Sequence, residues 1–366
     1  MEDARRHYLD QIRYDGVPLS PALARAFAAV PREVFVPDGF HRRDGRRVLP
    51  ADPDYLPTVY SNDVLVTKMS GDLPVSSSSQ PSLMAVMIEA LEVRPGHRVL
   101  EIGAGTGYNA ALMATLGAEV TTVDVQEDVA DRARSALARA GINGVRVENA
   151  DGYTGGSQGR YDRIVVTVGV AGLSPHWLDR LEPGGFVVAP VEHAGTHPVL
   201  AVRGSVPGPV TASVVCPAGF MTAAGPLSAR HDGSHPPPAA ALGELTEAAA
   251  ARWAPALEAL AYRDLWYAAG AWHNRATHAS VPGREQSYLA LLDDSGTAGA
   301  VILPDGAVLA SGASAERYTA VATALMDRWW ALGRPPMRAW RVGLARAGDP
   351  GAPIWVPRNW ELTRRP

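Results

Sequence analysis

Residues 101–107 read Glu-Ile-Gly-Ala-Gly-Thr-Gly, directly after the apolar pair Val99-Leu100. This stretch constrains the fold more than any other. An apolar run that stops in alternate glycines reads as a strand, a tight turn and the start of a helix, here over 107–117. Gly103, Gly105 and Gly107 leave out side chains where the backbone must turn sharply and come close to a ligand. The free N–H groups of the helix then point into the same crevice. A dinucleotide fingerprint, Gly-x-Gly-x-x-Gly, would put its third glycine at 108. Tyr108 stands there instead, and the glycine comes one residue early.

The flanking pattern says what kind of sheet this strand joins. Candidate strands fall at 98–102, 119–124, 145–148, 162–168 and 185–189, and candidate helices at 107–117, 127–140 and 175–181. Short apolar strands alternating with helices predict an α/β, Rossmann-like fold with a mostly parallel central sheet covered on both faces. Ligands bind beyond the carboxyl ends of such strands. Upstream, 2–14 and 20–29 read as helices and Val64–Val66 as a short strand. Residues 82–92 read as a helix with Leu83, Val86, Met87, Ala90 and Leu91 at helical spacing. Downstream, 203–240 is loop-rich, and His231–Pro238 reads as a linker. A helix over 242–261 and an aromatic cluster from Trp253 to Trp272 follow. Then come a hairpin around Asp293–Gly296, a helix over 314–332 and a strand over 339–345. The 366 residues divide into an N-terminal segment covering the site (1–80), a core (81–225), a linker (226–241) and a smaller C-terminal α+β domain (242–366).

Composition removes several function classes. A formal net charge of −4 argues against a general nucleic-acid binder. The one cysteine, Cys216, reads as a small buried side chain and fits a reducing cytoplasm. The sequence Met-Glu-Asp-Ala-Arg-Arg at the start has no apolar stretch of signal-peptide type. No run approaches the roughly 18 apolar residues of a membrane span. His231, His235, His273 and His278 raise the question of metal. No cysteine accompanies them and the linker pair reads as solvated, so no metal site is expected. A monomer is expected.

Asp124 ends the second strand, 21 residues after Gly103. An acid there commonly accepts hydrogen bonds from two ribose hydroxyls, though it could equally cap the next helix. Asp151-Gly152 ends the third strand and could receive an adenine amino group or be only a turn. The pattern Glu-x-Gly-x-Gly-x-Gly, starting at Glu101, is similar to the glycine turn of S-adenosylmethionine methyltransferases.

Further motifs, in order, resemble the protein-L-isoaspartate O-methyltransferase family over roughly residues 18–225. They are Val30-Pro31-Arg32-Glu33-Val34-Phe35-Val36-Pro37, Ser79-Gln80-Pro81, the glycine turn from Val99 to Tyr108, and Asp151-Gly152. Arg160-Tyr161-Asp162 and Leu181-Glu182-Pro183-Gly184-Gly185 with Ala189-Pro190-Val191 complete the set. The resemblance implies S-adenosylmethionine as cofactor and S-adenosylhomocysteine as product. It implies that Ser79 lies beside the transferred methyl and the substrate carboxylate, with Ser77, Ser78, Gln80 and Tyr60 lining the substrate groove. A carboxylate is already ionised and nucleophilic at neutral pH, so orientation is needed and a general base is not. A polar loop capping the helix at 82 is the plainer use of Ser76–Ser79.

Two departures from the family pattern bear on the substrate. Ser77-Ser78 stand where the family usually has Thr-Ile, and about 140 residues follow the core. Both resemble an actinobacterial branch associated with ribosomally made, modified peptides. That implies methylation of an aspartate in a macrocyclic precursor peptide, leading to an aspartimide (succinimide) and on to isoaspartate. The alternative is the repair enzyme of the family, acting on isoaspartyl residues in damaged proteins. A non-catalytic binder of the same cofactor and peptide is a third reading, which the intact glycines and Ser79 oppose.

Overall fold

A computed structural model describes residues 2–14, 17, 19–204, 208–239, 242–284 and 286–363. The five strands expected around the glycine turn all form. They are β1 (Arg98–Ile102), β2 (Glu119–Asp124), β3 (Val145–Asn149), β4 (Tyr161–Val166) and β5 (Leu181–Pro190). They pair in parallel in the order β5-β4-β1-β2-β3. Alternate residues of these strands feed two separate cores. Leu100, Ile164 and Val187 enter one, while Val99, Val165 and Val188 enter the other. That burial on both faces explains the unbroken apolar runs in the sequence.

The sheet does not stop at β5. Three more strands and a return strand lie antiparallel beyond it: β6 (Val199–Arg203), β7 (Val210–Cys216), β8 (Trp340–Ala347) and β9 (Ile354–Leu362). The full order is β9-β8-β7-β6-β5-β4-β1-β2-β3. Parallel and antiparallel pairings are therefore equal in number, four of each.

This corrects the expected division at 242. Residues 340–362 belong to the main sheet, because β8 pairs with β7 from Val210↔Leu344 to Ser213↔Arg341. Only the region between, 246–331, builds its own antiparallel sheet. Its strand order is Thr246–Ala249, Val308–Ser311, Gly299–Ile302, Ser287–Leu292 and Ala276–Ser280. Two helices accompany it, Ala259–Trp272 and Ala315–Ala331. The helix expected over 242–261 is displaced to 259–272. Pro255 lacks an N–H and disfavours helix before it, so Thr246–Ala249 pairs instead as an edge strand. His235, expected to be solvated, is buried against the His193 ring at 5.2 Å.

The N-terminal segment packs on the other core. Helices Glu2–Tyr14 and Pro21–Ala29 bury Tyr8, Ile12, Leu23 and Phe27. A small sheet follows, in the order Arg47–Val48, Phe40–His41, Leu65–Ser70, Leu73–Ser78. The serine run expected as a polar loop is thus mostly the second strand of a hairpin. It delivers Ser79 to the start of helix α1 (Pro81–Leu91), which begins on proline.

Candidate active site

β1 is flanked by β2 on one side and β4 on the other, so the strand order reverses there and a crevice opens at its carboxyl end. The glycine turn fills that position. Backbone N–H groups of Gly103 and Ala104 donate to the Val123 carbonyl at 2.9 and 3.0 Å. Gly103 has φ +98, and a Cβ there would sit 2.8 Å from Thr167 Oγ1. Gly105 has φ +52, and a Cβ there would sit 3.0 Å from the Ser77 carbonyl oxygen. Both positions therefore need glycine for conformation and for space. Gly107 precedes helix α2 (Tyr108–Thr115) at its N-terminus.

Asp124 closes this turn from the end of β2. Its Oδ2 accepts from the Gly105 N–H and its Oδ1 from the Gln126 N–H, each at 3.1 Å. Burial raises its pKa, and those two N–H groups oppose the rise. Beneath the turn, the Glu101 carboxyl is fully buried. It accepts from Asn109 Nδ2 at 2.6 Å and Thr122 Oγ1 at 2.7 Å. Burial lifts it to about 7 despite those bonds. The bond to Glu101 fixes the Asn109 amide with its Oδ1 turned the other way, buried and without a partner among the described residues.

The serine hairpin forms the opposite wall, and Arg32 holds it. Arg32 is completely buried. Its Nη1 donates to the carbonyls of Val59 and Ser61 at 2.9 and 3.1 Å. Its Nη2 donates to those of Asp63 and Ser79, each at 3.0 Å. Its Nε donates to Ser78 Oγ at 3.3 Å. One guanidinium thus ties the 59–63 loop to the hairpin end. Ser79 is half-buried, its carbonyl held by Arg32 and its hydroxyl free of hydrogen bonds from the described residues. Gln80 Nε2 donates to Ser82 Oγ at 3.1 Å, and Gln80 Oε1 accepts from Arg43 at 3.5 Å.

Between the two walls lies a cavity of about 580 Å³. Glu101, Gly103, Gly105, Asp124, Ser77, Ser78, Ser79 and Gln80 all border it, so most of the expected site residues meet in one place. Ser78 contributes little chemistry there, since its hydroxyl is engaged by Arg32. Tyr60 is a correction. It lies 2% exposed in the core against Tyr8 and donates to Glu33, outside the cavity wall. Asp151 is exposed and also outside the wall, its Oδ1 accepting from Tyr153 N at 2.9 Å as a turn residue does. Gly152 packs against Ile102 behind it. Sequence reasoning missed Arg32 as the clamp, although it lies inside a quoted motif. It also missed Gly219–Met221, which cover the cavity from a loop after β7. Hydrogen bonds from Gly169 N to the Met221 carbonyl and from Ala223 N to the Gly169 carbonyl hold that loop, each at 2.8 Å. Among the described residues, no group of three His, Cys, Asp or Glu is placed to hold a metal ion. No described helix is long and apolar enough to cross a membrane.

A sequence model of the Protein-L-isoaspartate(D-aspartate) O-methyltransferase family matches residues 3–224. The chain belongs to that family. A protein-L-isoaspartate O-methyltransferase of Methanoculleus marisnigri is 40% identical over 185 residues, covering 50% of this chain and 73% of that one. One from Gloeobacter violaceus is 34% identical over 213 residues, covering 58% of this chain and 94% of that one. A solved structure titled protein-L-isoaspartate O-methyltransferase aligns over 97% of this chain and 99% of its own. That alignment has a TM-score of 0.54 and 23% identity, so it speaks to fold. Its reach is informative all the same. The fold of the C-terminal region is shared with another chain bearing the protein-L-isoaspartate O-methyltransferase title.

Proposed function

We propose that this member of the family methylates the free carboxylate of isoaspartyl or D-aspartyl residues in proteins and peptides, the α-carboxylate in the first and the β-carboxylate in the second. S-adenosylmethionine is the methyl donor and S-adenosylhomocysteine the product. The observation that carries this reading is that Ser79, whose hydroxyl has no partner among the described residues, borders the same cavity as the glycine turn and Asp124. The residues present fit the donor. Gly103 and Gly105 leave room, Asp124 retains lone pairs beyond its two backbone bonds, and Asn109 Oδ1 is a buried acceptor in want of a donor.

When bound, S-adenosylmethionine supplies a methyl group on a positively charged sulfur. The substrate carboxylate is anionic at neutral pH and needs no base. The Ser79 hydroxyl donates to one carboxylate oxygen and so aims the other. Asp124 accepts from ribose hydroxyls, and the enclosed wall favours a reaction in which opposite charges cancel. Arg32 acts at one remove, by fixing the Ser79 backbone.

A second reading is methylation of an ordinary aspartate in a macrocyclic ribosomal peptide, with closure to aspartimide. It is supported by the room beside the site, where Gly219 and Phe220 border both the catalytic cavity and a further one of about 760 Å³. The extra C-terminal region does not favour it, given the shared fold noted above. One assay separates the two. An isoaspartyl peptide that gains one methyl group supports the first reading. A constrained aspartyl peptide that gains a methyl or loses one water, with the isoaspartyl peptide inert, supports the second. Ser79→Ala is expected to lower turnover about 10²-fold while S-adenosylhomocysteine still binds. Calorimetry showing no S-adenosylhomocysteine binding to the folded protein, or full turnover by Ser79→Ala, would overturn both.

A further inference from the structure

The cavity of about 760 Å³ lies between the main sheet and the C-terminal sheet. It is a neighbour of the catalytic cavity, with Gly219 and Phe220 as the partition. Its chemistry is lopsided. No acidic side chain among the described residues lines it, while Arg263 does. Arg263 makes no ion pair or hydrogen bond with the described residues. Its guanidinium instead lies over the Trp266 ring, 4.9 Å from the centroid. Trp266 is itself buried and anchored by Nε1 to the Ala194 carbonyl at 2.9 Å. Stacking restrains the guanidinium and leaves its N–H edge open for a planar anion.

His278 also borders this cavity. Thr222, Gln286 and Ser287 add neutral hydrogen-bonding groups around it. The contrast with the catalytic cavity is instructive. Arg43 at that mouth is already paired, 2.6 Å from Asp63 Oδ1.

We propose that this cavity is a second substrate subsite, in which Arg263 receives a carboxylate carried by the same peptide whose target residue enters the Ser79 cavity. The occupant is an acidic residue, or a chain-terminal carboxylate, a few residues from the methylated position. The inference rests on the Ser79 cavity being the methyl-transfer site and adds a preference for acidic flanking sequence to it.

The test uses the full chain and isoaspartyl peptides identical except for Glu, Gln or Lys at successive positions on either side of the isoaspartate. The wild type is expected to favour Glu over Gln about tenfold in kcat/KM at one such position, as one charge-assisted bond provides. Arg263→Gln removes that preference, and Arg263→Glu turns it toward Lys. Arg43→Gln retains it. S-adenosylhomocysteine affinity reports that each variant is folded. Methyl transfer with no Glu preference at any position in the wild type overturns this inference alone, without recourse to a variant. So does a folded Arg263→Gln that keeps the preference. Absence of methyl transfer from every one of these peptides overturns the isoaspartyl reading and this inference with it.

Discussion

The glycine turn and the serine hairpin face each other across one cavity, yet different forces keep them there. The turn is built from residues close in sequence and from backbone bonds to β2, such as Gly103 N to Val123 O. The hairpin end is held by one side chain, Arg32, that reaches residues 27 to 47 positions away. A wall of the first kind tolerates loss of any single side chain. A wall of the second kind fails at one point. Arg32→Ala is therefore the most severe break. It strands the carbonyls of Val59, Ser61, Asp63 and Ser79 without a donor. At about 1–3 kcal/mol for each buried orphan, offset by entering water, a stability loss of about 4 kcal/mol is expected. Methyl transfer should fall with it. Arg32→Lys should recover little, because a point charge cannot reproduce the fork of donors. Urea unfolding that shows under about 1 kcal/mol of loss would mean the hairpin has other supports.

The glycine wall carries a different burden, a buried acid. Glu101 is lifted to about 7, so the folded protein holds its proton where the unfolded chain has released it. Stability contributed by this group is present below its ordinary pKa and falls as pH rises through about 7. Spread over that window, the change amounts to about 3 kcal/mol. Glu101→Gln removes the titration while keeping an acceptor for Asn109 or Thr122. Unfolding measured from about pH 5 to about pH 8 should show the wild type losing ground to Glu101→Gln. A difference that stays flat with pH would show that Glu101 titrates normally.

The same contrast explains what could be read from the sequence. Gly103, Gly105, Asp124 and the five parallel strands were legible because their signal is local. It consists of an apolar run, a turn that only glycine allows, and an acid at the next strand end. Ser79 is singled out only by the ordered motifs, since four serines in a row say nothing about which hydroxyl stays free. Arg32 carried no such signal, because its partners lie on two distant segments, 59–63 and 78–79. The same holds for Gly219–Met221, brought over the cavity by bonds to Gly169. Tyr60 and Asp151 sat at plausible positions and were captured by nearer partners, Glu33 and Tyr153 N. The chain's end was misassigned for a related reason. The pattern of 340–362 marks strands, but nothing in it says that their neighbour is Val210–Cys216 across more than a hundred residues.

Gly105 is where the two walls touch, and it offers the finest cut between them. Its φ of +52 makes any L side chain strained, at about 1 kcal/mol for alanine. The added Cβ would also press on the Ser77 carbonyl at 3.0 Å. Gly96 separates these two effects. It has φ +81, and a Cβ there meets nothing within 4 Å. Gly96→Ala should therefore show the backbone cost alone, with S-adenosylhomocysteine bound as in the wild type. Gly105→Ala should cost about 2 kcal/mol and weaken S-adenosylhomocysteine about tenfold, because the Gly105 N–H that holds Asp124 must move with the turn. If Gly105→Ala behaves like Gly96→Ala in both measurements, the hairpin yields to the new methyl. The serine wall would then be a compliant cover, and only Arg32 and not the glycine contact would set its position.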